Sequence, residues 1–330
     1  MEATLDFMIL IISNKWDITV DYVISELRKR NAKFLRINTE DLIYEQVAIT
    51  FQDFNISISK QGKTYDLTNS IKVIWNRRPG RPFDNIDAND RPSLAIQNFV
   101  GDQWFSWLEA LQLIPGVTWI NNPQTNDSME SKPRQLLLAS QVGFLIPNTI
   151  ITNGPDHIRQ FAKKNSDSLI VKALYSPLIE EPDKDFFIFT NELNIADLNS
   201  DKEIKISPSI FQQSLRPKID YRVTVIGDIV FSVKINNLID NNLSNIDWRV
   251  EKNNLSFSSC VLPLNIEMMC KKFVKDSGLI FGAIDLVEHN GQFYFLEINP
   301  NGEWGWLQHP HDIPIAEALC DILIEYDDKR

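Results

Sequence analysis

Along the first hundred or so residues the spacing of apolar positions switches between two periods, and the switching predicts alternating strands and helices. Phe7–Ser13 is a near-continuous apolar run of strand length, the pattern of a strand buried on both faces. Ile18–Arg30 instead places Val20, Val23, Ile24 and Leu27 at helical spacing, with Asp17 or Thr19 in position to cap the first turn. Phe34–Ile37 is the next strand, Val47–Phe51 and Ile56–Ile58 suit a hairpin, and Lys72–Trp75 returns to the sheet. Strand–helix–strand order predicts a parallel core. A long amphipathic helix follows from about Ser93 to Leu113, with Ile96, Val100, Trp104, Leu108 and Leu111 expected to face inward.

The pattern changes after Trp119-Ile120-Asn121-Asn122-Pro123. A smaller α+β region begins there, with a helix after Lys132, a strand Leu169–Lys172 and another at Phe186–Phe189. From about Ile204 the chain is mostly strands, with helices at Ile266–Ser277 and around Pro314–Glu325. The expected division is therefore 1–120, 121–203 and 204–330, in an α/β plus α+β chain. Neither an internal repeat nor a low-complexity segment is present.

Near the C-terminus, Gly282-Ala283-Ile284-Asp285-Leu286-Val287 and Phe295-Leu296-Glu297-Ile298-Asn299-Pro300 read as a β-hairpin. It carries Asp285, Glu297 and Asn299 among apolar neighbours, where a lone carboxylate is costly. Three hard oxygen ligands on adjacent strands suit Mg²⁺, which fills its other positions with water and substrate phosphates. Strand alternation sets a parity condition: Asp285 and Glu297 share a face only if an odd number of loop residues joins the strands. A two-residue Asn290-Gly291 turn breaks that condition, so a three-residue loop His289-Asn290-Gly291, with the glycine left-handed in a bulge, is expected.

Composition narrows the class. With 43% hydrophobic residues and only 12 glycines the chain is an ordinary globular protein, and no apolar run is long enough to span a membrane. No secretion signal is evident, and Cys260, Cys270 and Cys320 lack any paired spacing, so reduced thiols in a cytoplasmic protein are expected. A net charge of −11 argues against nucleic-acid binding. The same charge means that any anionic substrate must be held by particular lysines and arginines. No phosphate loop, no Gly-x-Gly-x-x-Gly, no His-Glu-x-x-His and no Gly-x-Ser-x-Gly occurs.

The hairpin resembles the metal-binding element of the ATP-grasp ligases, and other segments follow in that family's order. These are Ser131-Lys132 opening a helix, Leu169-Ile170-Val171-Lys172, Ile210-Phe211-Gln212-Gln213-Ser214-Leu215 and Asp220-Tyr221-Arg222-Val223-Thr224-Val225-Ile226-Gly227-Asp228. The resemblance implies ATP and Mg²⁺ as cofactors, Lys132 on the phosphates, Lys172 on the α-phosphate and adenine edge, and Gln212 at the adenine edge. It implies further that the backbone of Gln213, Ser214 and Leu215 pairs with the ring, and that Arg222, with Lys234 as a weaker candidate, meets the terminal phosphate. In place of the family's glycine-rich loop after the second lysine stands Ala173-Leu174-Tyr175-Ser176-Pro177-Leu178-Ile179-Glu180-Glu181.

Three more features, Val73-Ile74-Trp75-Asn76-Arg77-Arg78-Pro79, Ile246-Asp247-Trp248-Arg249 and Asn299-Pro300-Asn301-Gly302-Glu303-Trp304-Gly305-Trp306-Leu307, are similar to the graspetide (microviridin-type) peptide maturases. Together with the opening Ile9–Asp17 they extend the resemblance over essentially the whole chain, including an N-terminal pre-ATP-grasp domain. That family phosphorylates an Asp or Glu side chain of a ribosomal precursor peptide and joins it to a Thr or Ser hydroxyl or a Lys amine. By resemblance Arg249 and Arg222 would grip the acidic core residue, a leader segment would dock on the middle lobe, and a homodimer is a family expectation. The nearest rival is an ATP-grasp amide ligase that adds an amino acid to a carboxylate; a catalytically dead peptide scaffold is the rival of another class. Structural roles are the simpler reading of Arg77 and Arg78 as salt-bridged contacts and of Trp304 and Trp306 as packing aromatics. The Pro-rich loop around His309, His311 and Asp312 speaks against a metal cluster there. Glu303 is left open between the metal shell and the nucleophile.

Overall fold

A computed structural model describes residues 8–166, 168–175, 178–179, 186–195, 198, 201–237 and 255–328. The chain forms two compact units. One comprises residues up to Pro123 with Leu279–Phe281 and the segment from Glu303 onward; the other comprises Gln124–Gly278 and Gly282–Gly302.

The first unit is built on a parallel sheet in the order Phe34–Asn38, Met8–Ser13, Ile71–Asn76, Thr118–Ile120. Ile9, Leu10 and Ile11 are fully buried, as a strand covered on both faces requires. Helix Ile18–Lys29 buries Val20, Val23, Ile24 and Leu27, and Asp17 caps it by accepting from the Thr19 amide at 3.0 Å. The last helix, Ile315–Asp328, packs against this helix and against the sheet. The expected hairpin forms from Gln46–Thr50 and Asn55–Lys60, and a third strand, Lys63–Asp66, extends it.

At helix Leu94–Ala110 the expected inward positions Trp104 and Leu108, and Leu111 just beyond its end, pack on the core, but Ile96 does not. Trp107 and Leu111 are buried, whereas Ile96 is 52% exposed, with Leu94, Phe99 and Phe105 also outside. Apolar residues surround this helix, so their spacing does not single out an inward face.

Among the described residues the second unit holds a four-stranded antiparallel sheet and a five-stranded sheet, besides the two-stranded pair Leu178–Ile179 with Phe186–Phe187. The four-stranded sheet runs Asn191–Leu193, Leu169–Lys172, Ser209–Gln213, Thr149–Thr152; the five-stranded one runs Leu255–Cys260, Ile229–Asn237, Ile219–Ile226, Phe281–His289, Gln292–Asn299. Helices Lys132–Val142 and Leu264–Asp276 pack on the larger sheet, where Phe144, Phe273 and Phe295 form an aromatic cluster. Gln135 ties the first of these helices to the hairpin. Its amide nitrogen donates to the Ile298 carbonyl at 3.0 Å while its oxygen accepts from the Ile298 amide at 3.0 Å. Among the described residues no helix is long and apolar enough to cross a membrane.

Candidate active site

Asp285 and Glu297 face each other directly across the hairpin, with Ala283 opposite Asn299 two residues on. All three expected ligands therefore project from one face. The loop is not the expected one. His289 pairs with Gln292, leaving a two-residue Asn290-Gly291 turn with φ of +51° and +75°. Parity is restored further up, where the register shifts between Asp285 and Leu286 and Leu296 is the extra residue of a bulge. A primed turn of Asn-Gly matches strand twist best, so the odd residue moves into the strand.

Arg222 lies on the same face and donates from Nη1 to Asp285 Oδ1 at 2.8 Å, while its buried Nε has no partner among the described residues. Gly302 makes room for it: a Cβ there would lie 3.3 Å from Arg222 Nη2 and 2.4 Å from the Ala283 Cβ. The Asn299 side-chain oxygen accepts from the Asn301 amide at 3.0 Å, which fixes its orientation at the strand end.

Between the four- and five-stranded sheets of this unit lies a cleft of about 670 Å³, counting its open mouth. Lys172, Gln212, Gln213, Ser214 and Leu215 line it together with Asp285 and Glu297. The Gln213 and Ser214 amides are engaged with the Asn148 and Ser168 carbonyls at 2.9 and 3.0 Å, and the Leu215 amide makes no backbone bond among the described residues. The same wall carries Lys218, paired with Asp220 at 2.5 Å and almost buried with it. This pair was missed in the sequence; the alternation Lys218-Ile219-Asp220 before Arg222 was the available signal.

A second cavity is lined by Lys132, Glu130, Gln135, Lys172, Glu297 and Asn299, so Lys172 and Glu297 stand on the walls of both. Lys132 is the first residue of its helix, and its ammonium donates to the carbonyls of Ala173 and Tyr175 at 2.8 and 3.2 Å. It thereby ties down Ala173 and Tyr175, in the stretch that follows Lys172. Glu130 was also missed; burial pushes its carboxyl above the ordinary value, Asp127 and Glu297 add to that, and Lys132 opposes it.

Several expected residues fall elsewhere. Lys234 is opposite Tyr221, and Arg222 is opposite Val233, so the register puts Lys234 on the other face of the sheet from Arg222. It does not join Arg222 at a common charge, because side chains alternate along a strand. Arg249, with Asp247 and Trp248, lies outside the described residues. Arg77 is buried, with Thr19, Asp17 and Glu303 around it at 3.1, 3.4 and 3.4 Å, and Arg78 meets Glu303 at 2.6 Å. The other oxygen of Glu303 accepts from the Trp304 and Gly305 amides, so Glu303 is an anchor within the first unit. Trp304 is fully buried there.

Among the described residues no three His, Cys, Asp or Glu side chains converge. A divalent ion at the hairpin would thus have two carboxylates and one amide, a hard-oxygen set that fits Mg²⁺ completed by water and phosphate.

No protein-family model matches the chain, and no curated protein matches it. Solved structures do. A RiPP-associated ATP-grasp ligase of Chryseobacterium gregarium, in complex with ADP and a leader and core peptide, is 25% identical, with a TM-score of 0.84 over 98% of this chain and 99% of that chain. The macrocyclase MdnC of Microcystis aeruginosa MRC, bound with precursor peptide MdnA, is 24% identical with a TM-score of 0.83 over 96% and 99%. The ATP-grasp ligase PsnB, complexed with minimal precursor, Mg and ADP, is 20% identical with a TM-score of 0.78 over 99% and 100%.

From end to end, then, the chain has the fold of the ATP-grasp ligases. The three named are a RiPP-associated ligase, a macrocyclase and an ATP-grasp ligase, each in complex with a peptide or precursor, and the graspetide-type resemblance read in the sequence is borne out.

Proposed function

We propose that this ATP-grasp ligase phosphorylates Asp or Glu side chains of a ribosomal precursor peptide and joins them to Thr or Ser hydroxyls or Lys amines, closing rings. The carboxylate oxygen takes the terminal phosphoryl group and ADP leaves; the hydroxyl or amine then attacks the acyl carbon and phosphate leaves. Carrying this reading is the placement of Lys172 and Glu297 on both cavities, one walled by the Gln212–Leu215 segment and the other by Lys132.

In this reading Gln212 and the backbone of Gln213, Ser214 and Leu215 hold the adenine, Lys132 and Lys172 the phosphates, and Asp285, Glu297 and Asn299 the Mg²⁺. ATP supplies the phosphoryl group and Mg²⁺ neutralises phosphate charge when bound. Arg222, held in place by Asp285, keeps its Nε for the terminal phosphate, where a fixed guanidinium stabilises the charge of transfer. Arg249 is assigned with it to the acidic core residue. The division into a pre-ATP-grasp domain and two grasping lobes belongs to the same proposal.

The partner is a precursor peptide with a leader and an acidic core. For the leader, the short hairpin Leu178–Ile179 with Phe186–Phe187 exposes all four apolar side chains and Ile188 by 41–46% each. Phe187 and Ile188 also wall the cavity of Lys132 and Glu297, so a peptide covering the hairpin would act directly on the phosphate site. A homodimer, supported so far by the apolar surface of helix Leu94–Ala110, is checked by sedimentation.

Co-expression with a short peptide encoded beside the gene, followed by mass spectrometry, tests the reaction. One water mass lost per ring, dependent on ATP and Mg²⁺, is the expected result. A peptide that instead gains the mass of an amino acid supports the rival amide ligase, and no ADP release with any peptide defeats both.

A further inference from the structure

Thr149 and Gln212 are direct partners across the antiparallel strands Thr149–Thr152 and Ser209–Gln213, so their side chains share a face. The Thr149 hydroxyl has a single proton, which it donates to the Pro147 carbonyl at 2.7 Å. Toward Gln212 its oxygen can therefore only accept. At 2.9 Å it must meet the amide nitrogen of Gln212 rather than the amide oxygen. The two ends of a glutamine amide look alike, and here the hydroxyl decides between them.

The consequence falls on the other end of the amide. Gln212 is 1% exposed and stands on the cleft wall, and its Oε1 has no donor among the described residues. A buried acceptor left without a donor calls for one, and on a cleft wall a ligand can supply it.

We propose that Thr149 is a positioning residue that sets the purine choice of the cleft, by holding Gln212 so that only an acceptor faces the base. The proposal rests on the reading of this cleft as the nucleotide site. Adenine offers an exocyclic amine, a donor, at its 6-position; hypoxanthine and guanine offer a carbonyl oxygen there. Oxygen facing oxygen leaves two acceptors unpaired, which is the kind of mismatch that discriminates strongly. Without the hydroxyl the amide turns over freely and presents its nitrogen to a 6-oxo purine equally well.

The test compares the affinities of Mg-ATP and Mg-ITP, by calorimetry on the full chain, in the native protein, Thr149→Val and Thr149→Ser. The native protein is expected to prefer ATP by about 100-fold. In Thr149→Val, close in shape but without the hydroxyl, the preference is expected to fall to about 10-fold or less, with ITP bound more tightly than by the native protein. Thr149→Ser restores the preference. A gain for ITP cannot come from a damaged fold, so this readout separates positioning from packing. An unchanged ATP-to-ITP ratio in Thr149→Val overturns the role of Thr149 alone. A native protein that binds neither nucleotide overturns the nucleotide site and this proposal together.

Discussion

Arg77 and Arg222 are both buried and both face a carboxylate, yet they end in opposite conditions. Arg77, in the N-terminal unit, is enclosed by Asp17, Thr19 and Glu303, and Glu303 is itself anchored by Arg78 and two backbone amides. Arg222, in the second unit, has Asp285 on one nitrogen and nothing among the described residues on its Nε. Burial and an acidic neighbour are shared, so neither separates a structural arginine from a working one. What separates them is an unused donor on a side chain bonded to a cleft-lining carboxylate, since a buried charge with full partners is already compensated.

The largest effect is expected at Arg222. Arg222→Ala should lower kcat/KM for ring formation about 10³-fold, the scale of losing a fixed donor from a charged transition state. ADP release at subsaturating peptide measures it, and a loss below about 10-fold would put Arg222 in the same condition as Arg77. Arg77→Ala should do the reverse. Leaving buried Asp17 without its guanidinium partner costs about 3 kcal/mol in urea unfolding, with turnover per folded molecule within about threefold of the native protein. A stable Arg77→Ala protein without activity would contradict the contrast.

Asp327 sharpens the same contrast from the other side, as a half-buried charge with too few partners. Burial raises its carboxyl to about 6, with Asp328 adding and Lys72 opposing. The folded value lies above the unfolded one, so the unfolded chain gives up this proton first, and stability falls as pH rises from about 4 to about 6. Asp327→Asn is therefore expected to stabilise by about 1 kcal/mol at pH 7, after allowance for solvent screening, and to change nothing near pH 3.5. Equal effects at both pH values would remove Asp327 from the account.

Much of the fold was legible because the parallel strands and the first helix are written in period. Phe34–Ile37, Lys72–Trp75 and the Asp17 cap need only local rules, and each was found close to its expected place. The long helix misled at Ile96 because apolar residues on all its sides carry no direction. At the site, the shared face of Asp285, Glu297 and Asn299 was legible from chemistry, while the device that produces it was not. Parity demands one odd residue in the hairpin, and Leu296 in the strand serves as well as a third residue in the loop. Lys234 failed for a related reason, since its face depends on a register that only the pairing partner fixes. Glu130 and Lys218 escaped because single charges reveal a cleft only once distant strands have built it.

The assignment stands or falls on a divalent ion held by the hairpin in the presence of nucleotide, and electron paramagnetic resonance of Mn²⁺ with ADP reports that directly. Glu297→Gln keeps the shape of the side chain and removes its charge. The native protein should form a Mn–ADP complex whose dissociation constant rises about 10- to 100-fold in Glu297→Gln, with circular dichroism unchanged. Equal Mn–ADP affinity in the two proteins would contradict the site and, with it, the ligase reaction assigned to it.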